Sequence, residues 1–101
     1  MVITLFRSRL KPESMDEYSQ WAERMSELAK RMPGYVSHKG YTAEDGERIT
    51  VVEFEDEASQ RHWSTNLQHV EAKKKGRTDF YLEYQLQVCR VERSTSFKAT
   101  S

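Results

Sequence analysis

The chain has 101 residues, the length of one domain at the usual ~100–200 residues per domain. Sixteen Lys and Arg balance sixteen Asp and Glu, which argues against a general polyanion binder, because nucleic-acid affinity comes mainly from a basic excess. No apolar run approaches the ~20 residues of a membrane-spanning helix, the N-terminus lacks the basic start of a signal peptide, and the single cysteine, Cys89, cannot close an internal disulfide, so a cytosolic, reducing compartment fits.

Mean hydropathy is low, −0.86. The aliphatic content is thin, and Phe, Tyr and Trp supply buried area that it omits. Such a small core predicts that some apolar surface is buried against a partner.

Residues 2–10 alternate, with Val2, Thr4, Phe6, Ser8 and Leu10 on one face, and read as a strand that Lys11-Pro12 ends. Ser14-Met15-Asp16-Glu17 has the spacing of a capping box. Behind it Met15, Tyr18, Trp21, Ala22, Met25, Leu28, Ala29 and Met32 recur at steps of three and four, an amphipathic helix whose apolar stripe is core. Pro33-Gly34 stops it. Residues 35–42 and 48–55 read as strands joined through Asp45-Gly46, a hairpin signal in a loop of two residues or more.

Asp56 is placed to cap a short helix from Glu57 to about Ser64. Thr65-Asn66-Leu67-Gln68 is a second capping-box pattern, so the helix is expected to break after Trp63 and restart at Asn66. Lys73-Lys74-Lys75-Gly76 then supplies cations for its last turn and a glycine stop; with zero net charge this run reads as a solvated cap, not a nucleic-acid patch. Asp79 to Arg93 reads as one long strand, with Phe80, Leu82, Tyr84, Leu86 and Val88 on a continuous apolar face. It is long for a strand, so it bends or outruns its sheet. Residues 94–101 read as a flexible Ser/Thr-rich tail after a domain of residues 1–93.

The order β-α-β-β-α-β defines the ferredoxin-like α+β fold, a four-stranded antiparallel sheet with helices on one face. The uncovered face would carry Tyr81, Cys89 and Val91 with, depending on register, Ile49 and Val51. An apolar patch of that size predicts a homodimer in which two sheets face each other.

At this point the chain resembles the antibiotic biosynthesis monooxygenase family, the dimeric α+β barrel proteins. The resemblance covers nearly all of residues 1–93. It is carried by Leu10-Lys11-Pro12, Met32-Pro33-Gly34-Tyr35, Glu57-Ala58 before Trp63, His69-Val70-Glu71-Ala72, Gly76-Arg77, Phe80-Tyr81 with Tyr84, and Val88 to Arg93. It implies a pocket in each subunit between the sheet and the second helical region. Family members include oxygenases that use neither flavin nor metal on phenols or quinols, haem-degrading enzymes, and proteins of no known activity, so the fold alone does not fix the reaction.

Trp63 and His69 flank the expected helix break. The indole reads either as a slab for an aromatic ligand or as a core anchor, and His69 either as a base or as a surface residue. A helix N-terminus would keep His69 neutral and basic. Asn66 can donate to a developing oxyanion or simply start the helix. Tyr81 and Arg77 are candidates for the pocket wall, though Tyr81 also suits the dimer face and Arg77 a surface ion pair. His38 either points into the barrel or is a hydrogen-bonded structural residue. No zinc, iron or phosphate-loop motif is present, and no cofactor is called for. The haem-degrading branch uses a strand Asn, a Trp and a ligating His. Trp63 matches, but Ser8 and Lys73 stand at the other two positions, and an ammonium does not ligate iron. The leading expectation is a cofactor-free monooxygenase of a small aromatic or quinol. The alternatives are a non-catalytic or stress-related binding dimer and a haem-binding protein.

Overall fold

Alternation at the N-terminus builds β1, Val2–Leu10. The computed structural model describes residues 1–100, with the side chains of Leu67 and Gln68 outside that description. A 3-10 turn at Pro12–Ser14 leads into α1, Met15–Lys30. Then come β2, Tyr35–Thr42, and β3, Arg48–Phe54, followed by α2, Glu57–Thr65, and α3, Leu67–Lys75. A π-helical turn, Gly76–Phe80, delivers the chain to β4, Tyr81–Arg90. The sheet order is β2-β3-β1-β4, and every pairing is antiparallel. This is the ferredoxin-like α+β arrangement.

Several local signals act as the sequence predicts. Gly34 takes φ +80 behind α1, a conformation that costs glycine little. Asp56 Oδ1 accepts from the Ser59 amide at 2.8 Å and caps α2. The β2–β3 loop spans residues 43–47, with Gly46 at φ +92.

Others act differently. Ser14 makes no cap for α1; its hydroxyl donates to the Asp79 carbonyl and pins the helix start to the π turn. Thr65 Oγ1 donates backwards to the Arg61 and His62 carbonyls, so it closes α2 instead of opening α3, and the Gln68 half of the expected box lies outside the described residues. Gly76 does not stop α3 with a positive φ, since among the described residues the positive-φ glycines are Gly34 and Gly46. Its role is close approach: a Cβ there would lie 2.5 Å from Tyr81 Cε2. Because residues 76–80 are helical, the last strand starts at Tyr81, and because pairing with β1 ends at Arg90 it is shorter than the expected 79–93.

Residues opposite one another in the ladder share a face. The register therefore places Thr4 with Val52 and Val88, and Phe6 with Leu86, on the helix side. There Phe54, Trp63 and Ala29 form the core, with Met25, Leu28, Met32, Tyr35 and Val52 packed against it. The α1 stripe is only partly core, since Met15 is exposed and Trp21 half-buried, with the Arg24 guanidinium over its ring.

An irregularity between Arg9 and Leu10 pairs Tyr81 with Leu10. It turns Tyr81 to the helix side, where its ring meets Phe6, Tyr18, Phe80 and Tyr84. Tyr81 is therefore not on the outer sheet face. Ile3, Leu5, Ile49, Val51 and Cys89 are on that face, half-buried and bordered by Arg7–Glu47 and Arg9–Asp45 ion pairs. The barest apolar row lies instead along β4, where Leu82, Tyr84, Leu86 and Val88 are exposed. β4 is an edge strand, while α1 touches β2 and α2 touches β3 and β1, so the helical layer leaves the strand's far side uncovered.

Candidate functional site

The break between α2 and α3 organises the site. A helix ends with carbonyls that lack intrahelical partners. Here α3 supplies the partners. The Asn66 amide and His69 Nδ1 both reach the Trp63 carbonyl, at 3.2 and 3.1 Å. Lys73 Nζ donates to the Ser64 carbonyl at 2.9 Å and to Ser64 Oγ at 3.0 Å. Asn66 closes α2 and, through its own carbonyl, opens α3 by accepting from the Val70 amide.

A carbonyl only accepts, so His69 carries its proton on Nδ1 and presents Nε2 as an acceptor. The imidazole stacks on the Trp63 indole, with centroids 4.1 Å apart and planes 16° from parallel. Burial pulls the ring down to about 4 from the ordinary 6.5; the bond to Trp63 pulls upward and the Lys73 charge pushes down further. The expected neutral state is present, but the main cause is burial against the indole.

Trp63 is 7% exposed, and one of its faces is covered by His69. Two hollows mark the surface elsewhere. One of about 530 Å³ lies along α1 between Gln20 and Arg31, and one of about 250 Å³ lies among Arg7, Ser8, Glu47, Glu83, Tyr84 and Gln85. Neither reaches Trp63 or His69, so the sheltered hollow expected behind the indole is not among them.

His69, Lys73 and Arg77 follow at four-residue steps along α3 and the π turn. Arg77 Nε donates to Tyr84 Oη at 2.7 Å. Lys73 is held below the ordinary lysine range by burial and then by the Arg77 charge, with Tyr84 acting the other way. Tyr81 stands one layer deeper. Burial raises its phenol, which stays neutral. His38 is elsewhere: Ser26 Oγ and Tyr35 Oη hold its two ring nitrogens at 2.7 and 2.6 Å. The structure thus groups Trp63, Asn66 and His69, links Arg77 to them through Lys73 and Tyr84, and leaves His38 apart. Lys73 and Tyr84 are the members that site prediction missed, although the four-residue spacing from His69 was a signal for Lys73. Among the described residues no three His, Cys, Asp or Glu side chains converge as metal ligands would.

A four-stranded antiparallel sheet in the order β2-β3-β1-β4, with a tryptophan and a histidine stacked at the break in its second helical region, defines a ferredoxin-like α+β protein. The family model for antibiotic biosynthesis monooxygenases matches residues 1–75, and the chain belongs to that family. Among relatives, the uncharacterized protein YqjZ of Bacillus subtilis (strain 168) is 34% identical over 91 residues, spanning 90% of this chain and 80% of its own length. Among solved structures, a putative antibiotic biosynthesis monooxygenase from Deinococcus radiodurans superposes with a TM-score of 0.85 at 8% identity, covering 98% of this chain and 100% of that one. SnoaB from Streptomyces nogalater, a cofactor-independent oxygenase, gives 0.76 at 14% identity, covering 92% and 94%. At such identities the structural likeness is one of fold.

Proposed function

We propose that this protein is a cofactor-independent monooxygenase of a small phenol or quinol, with His69 as the proton acceptor and Trp63 as the platform that orients it. The observation that carries this reading is the Nδ1 bond to the Trp63 carbonyl, which commits His69 to presenting Nε2. Family membership and the likeness in fold to SnoaB, a cofactor-independent oxygenase, support it. In such a reaction the phenol loses its proton and the electron-rich anion reduces dioxygen. One oxygen atom enters the ring carbon to give the quinone and the other leaves as water. The electrons come from the substrate's own C–H and O–H bonds, so no external reductant is needed. The protein's task is to place the substrate, limit its hydration and accept the proton. Asn66 and Arg77 are assigned to the rim of the site and Tyr81 to its support, while His38, with both nitrogens engaged, is assigned to the scaffold.

The active form in this reading is a cytosolic homodimer joined through the Ile3, Leu5, Ile49 and Val51 sheet face. Oxygen-electrode assays over a panel of phenols and quinols, with chelator present and flavin absent, test the activity. Uptake is expected for the wild-type chain and a loss of about 100-fold for His69→Ala, within the range of general-base contributions. No uptake above buffer across the panel, or uptake that His69→Ala leaves unchanged, overturns the reading in favour of a non-catalytic binding protein. Light scattering on the same preparation is expected to give twice the 11.9 kDa chain mass, and a single-chain mass at micromolar concentration removes the dimer.

A further inference from the structure

Two apolar features of this chain stand open to solvent. One is the row along β4, where Tyr84, Leu86 and Val88 are exposed. The other is Phe97, 91% exposed in a stretch, residues 91–100, that enters no helix or strand. β4 is also an edge strand, paired with β1 on one side. Its other side presents main-chain N–H and C=O groups, a template for a further strand. The opposite edge, β2, is blunted by Lys39 and by an irregularity between Tyr35 and Ser37. From Glu83 to Arg90, β4 has no lysine, no proline and an unbroken register.

The tail has the pattern such an edge would take. Thr95, Phe97 and Ala99 fall on one side of an extended chain, and Ser94, Ser96, Lys98 and Thr100 on the other. β4 alternates in the same way, with Tyr84, Leu86 and Val88 toward the helical layer and Glu83, Gln85 and Gln87 on the outer face. Neighbouring strands share their faces, so Phe97 on the apolar row puts Lys98 on the side of Glu83. Seven extended residues span about 23 Å, and the row from Tyr84 to Val88 about 13 Å.

The chain's own tail is badly placed for this edge. The Val91 amide donates to the Met1 carbonyl at 3.1 Å, so the backbone runs straight on past the end of β4. Coming back would need a reversal within residues 91–93, and no glycine, proline, asparagine or aspartate follows Val88. A second copy needs no reversal. In a two-fold pair each tail reaches the other chain's edge, and both edges are covered at once.

We propose that residues 94–100 of one copy add as a strand to the β4 edge of a second copy, with Phe97 seated on Tyr84, Leu86 and Val88 of that copy. This rests on the homodimer reading and gives it a mutual exchange of arms. Tyr84 also accepts from Arg77, so each tail lies against the Arg77–Tyr84 contact of the other chain and completes its rim.

The test is cross-linking in a Cys89→Ser background. One chain carries Leu86→Cys and another Phe97→Cys, and the two are refolded together and treated with a short bismaleimide. The mixture is expected to give a product of twice the 11.9 kDa chain mass on a denaturing gel, well above what either variant gives alone. A mixture that gives no more than its components, or a doubly substituted chain that closes a loop within itself, overturns the proposal. Phe97→Ser alters a side chain exposed in the single copy, so it acts on association and not on folding. It is expected to weaken the dimer about tenfold or more on dilution, the scale of one buried aromatic ring. An unchanged dissociation constant also overturns the proposal. Light scattering separates the two readings. Twice the chain mass without tail cross-links leaves the homodimer standing and the arm exchange refuted, and a single-chain mass refutes both.

Discussion

His38 and His69 occupy opposite situations in the same small fold. His38, on β2, is held at both ring nitrogens by Ser26 and Tyr35 and completes a closed polar set beneath α1. His69 is held at one nitrogen by a main-chain carbonyl and on one face by an indole, and one turn along the helix stands a cation, Lys73. The first arrangement consumes the chemistry of the ring. The second fixes its tautomer and leaves a lone pair defined. The difference lies in the number of directions from which the fold restrains the ring.

The strongest way to break the contrast is Trp63→Ala. It removes a 7%-exposed core ring and the surface on which His69 rests. A loss of about 3–5 kcal/mol in chemical denaturation is expected. In whatever fraction stays folded, the His69 titration should move up toward 6.5 by NMR; a His69 that titrates unchanged would show that the indole does not set its state.

The next test is pH. The unfolded chain protonates His69 near 6.5 and the folded chain only near 4, so between those values the unfolded state binds more protons. The stability due to the neutral, buried ring is complete above that window and drains as pH falls through it, by about 3 kcal/mol at ~1.4 kcal/mol per unit. Urea melts at pH 7.5 and 4.5 should show most of this loss in the wild type and much less of it in His69→Phe, which keeps a stacking ring. An identical loss in His69→Phe would assign it to other groups.

The smallest effect belongs to the other histidine. Tyr35→Phe deletes the hydroxyl on His38 Nδ1 and should cost about 1 kcal/mol by denaturant melt. Oxygen uptake and ligand binding should be unaffected. A change in either would tie His38 to the site after all.

Element order, the Asp56 cap, the Pro33-Gly34 stop and the break near Trp63 were legible because each is a local event, decided by residues three or four apart. The pairing of Trp63 with His69 was legible for the same reason. What escaped depends on distant partners. The Ser14 hydroxyl found Asp79, not its own helix. One irregularity opposite Leu10 moved Tyr81 across the sheet, and strict alternation cannot announce such a shift. The depressed His69 basicity was foreseen from the helix terminus but arises mainly from burial, which no sequence window reports. Lys73 looked like one of three equivalent lysines until the end of α2 was seen to rest on it.

That last contact makes the two short helices a mechanical pair. The final carbonyls of α2 are stoppered by an imidazole and an ammonium borrowed from α3. Whatever displaces the ammonium loosens the plug, so Lys73→Met would be felt as fraying in the last turn of the preceding helix, and the amides around Thr65 would exchange with solvent faster in that variant.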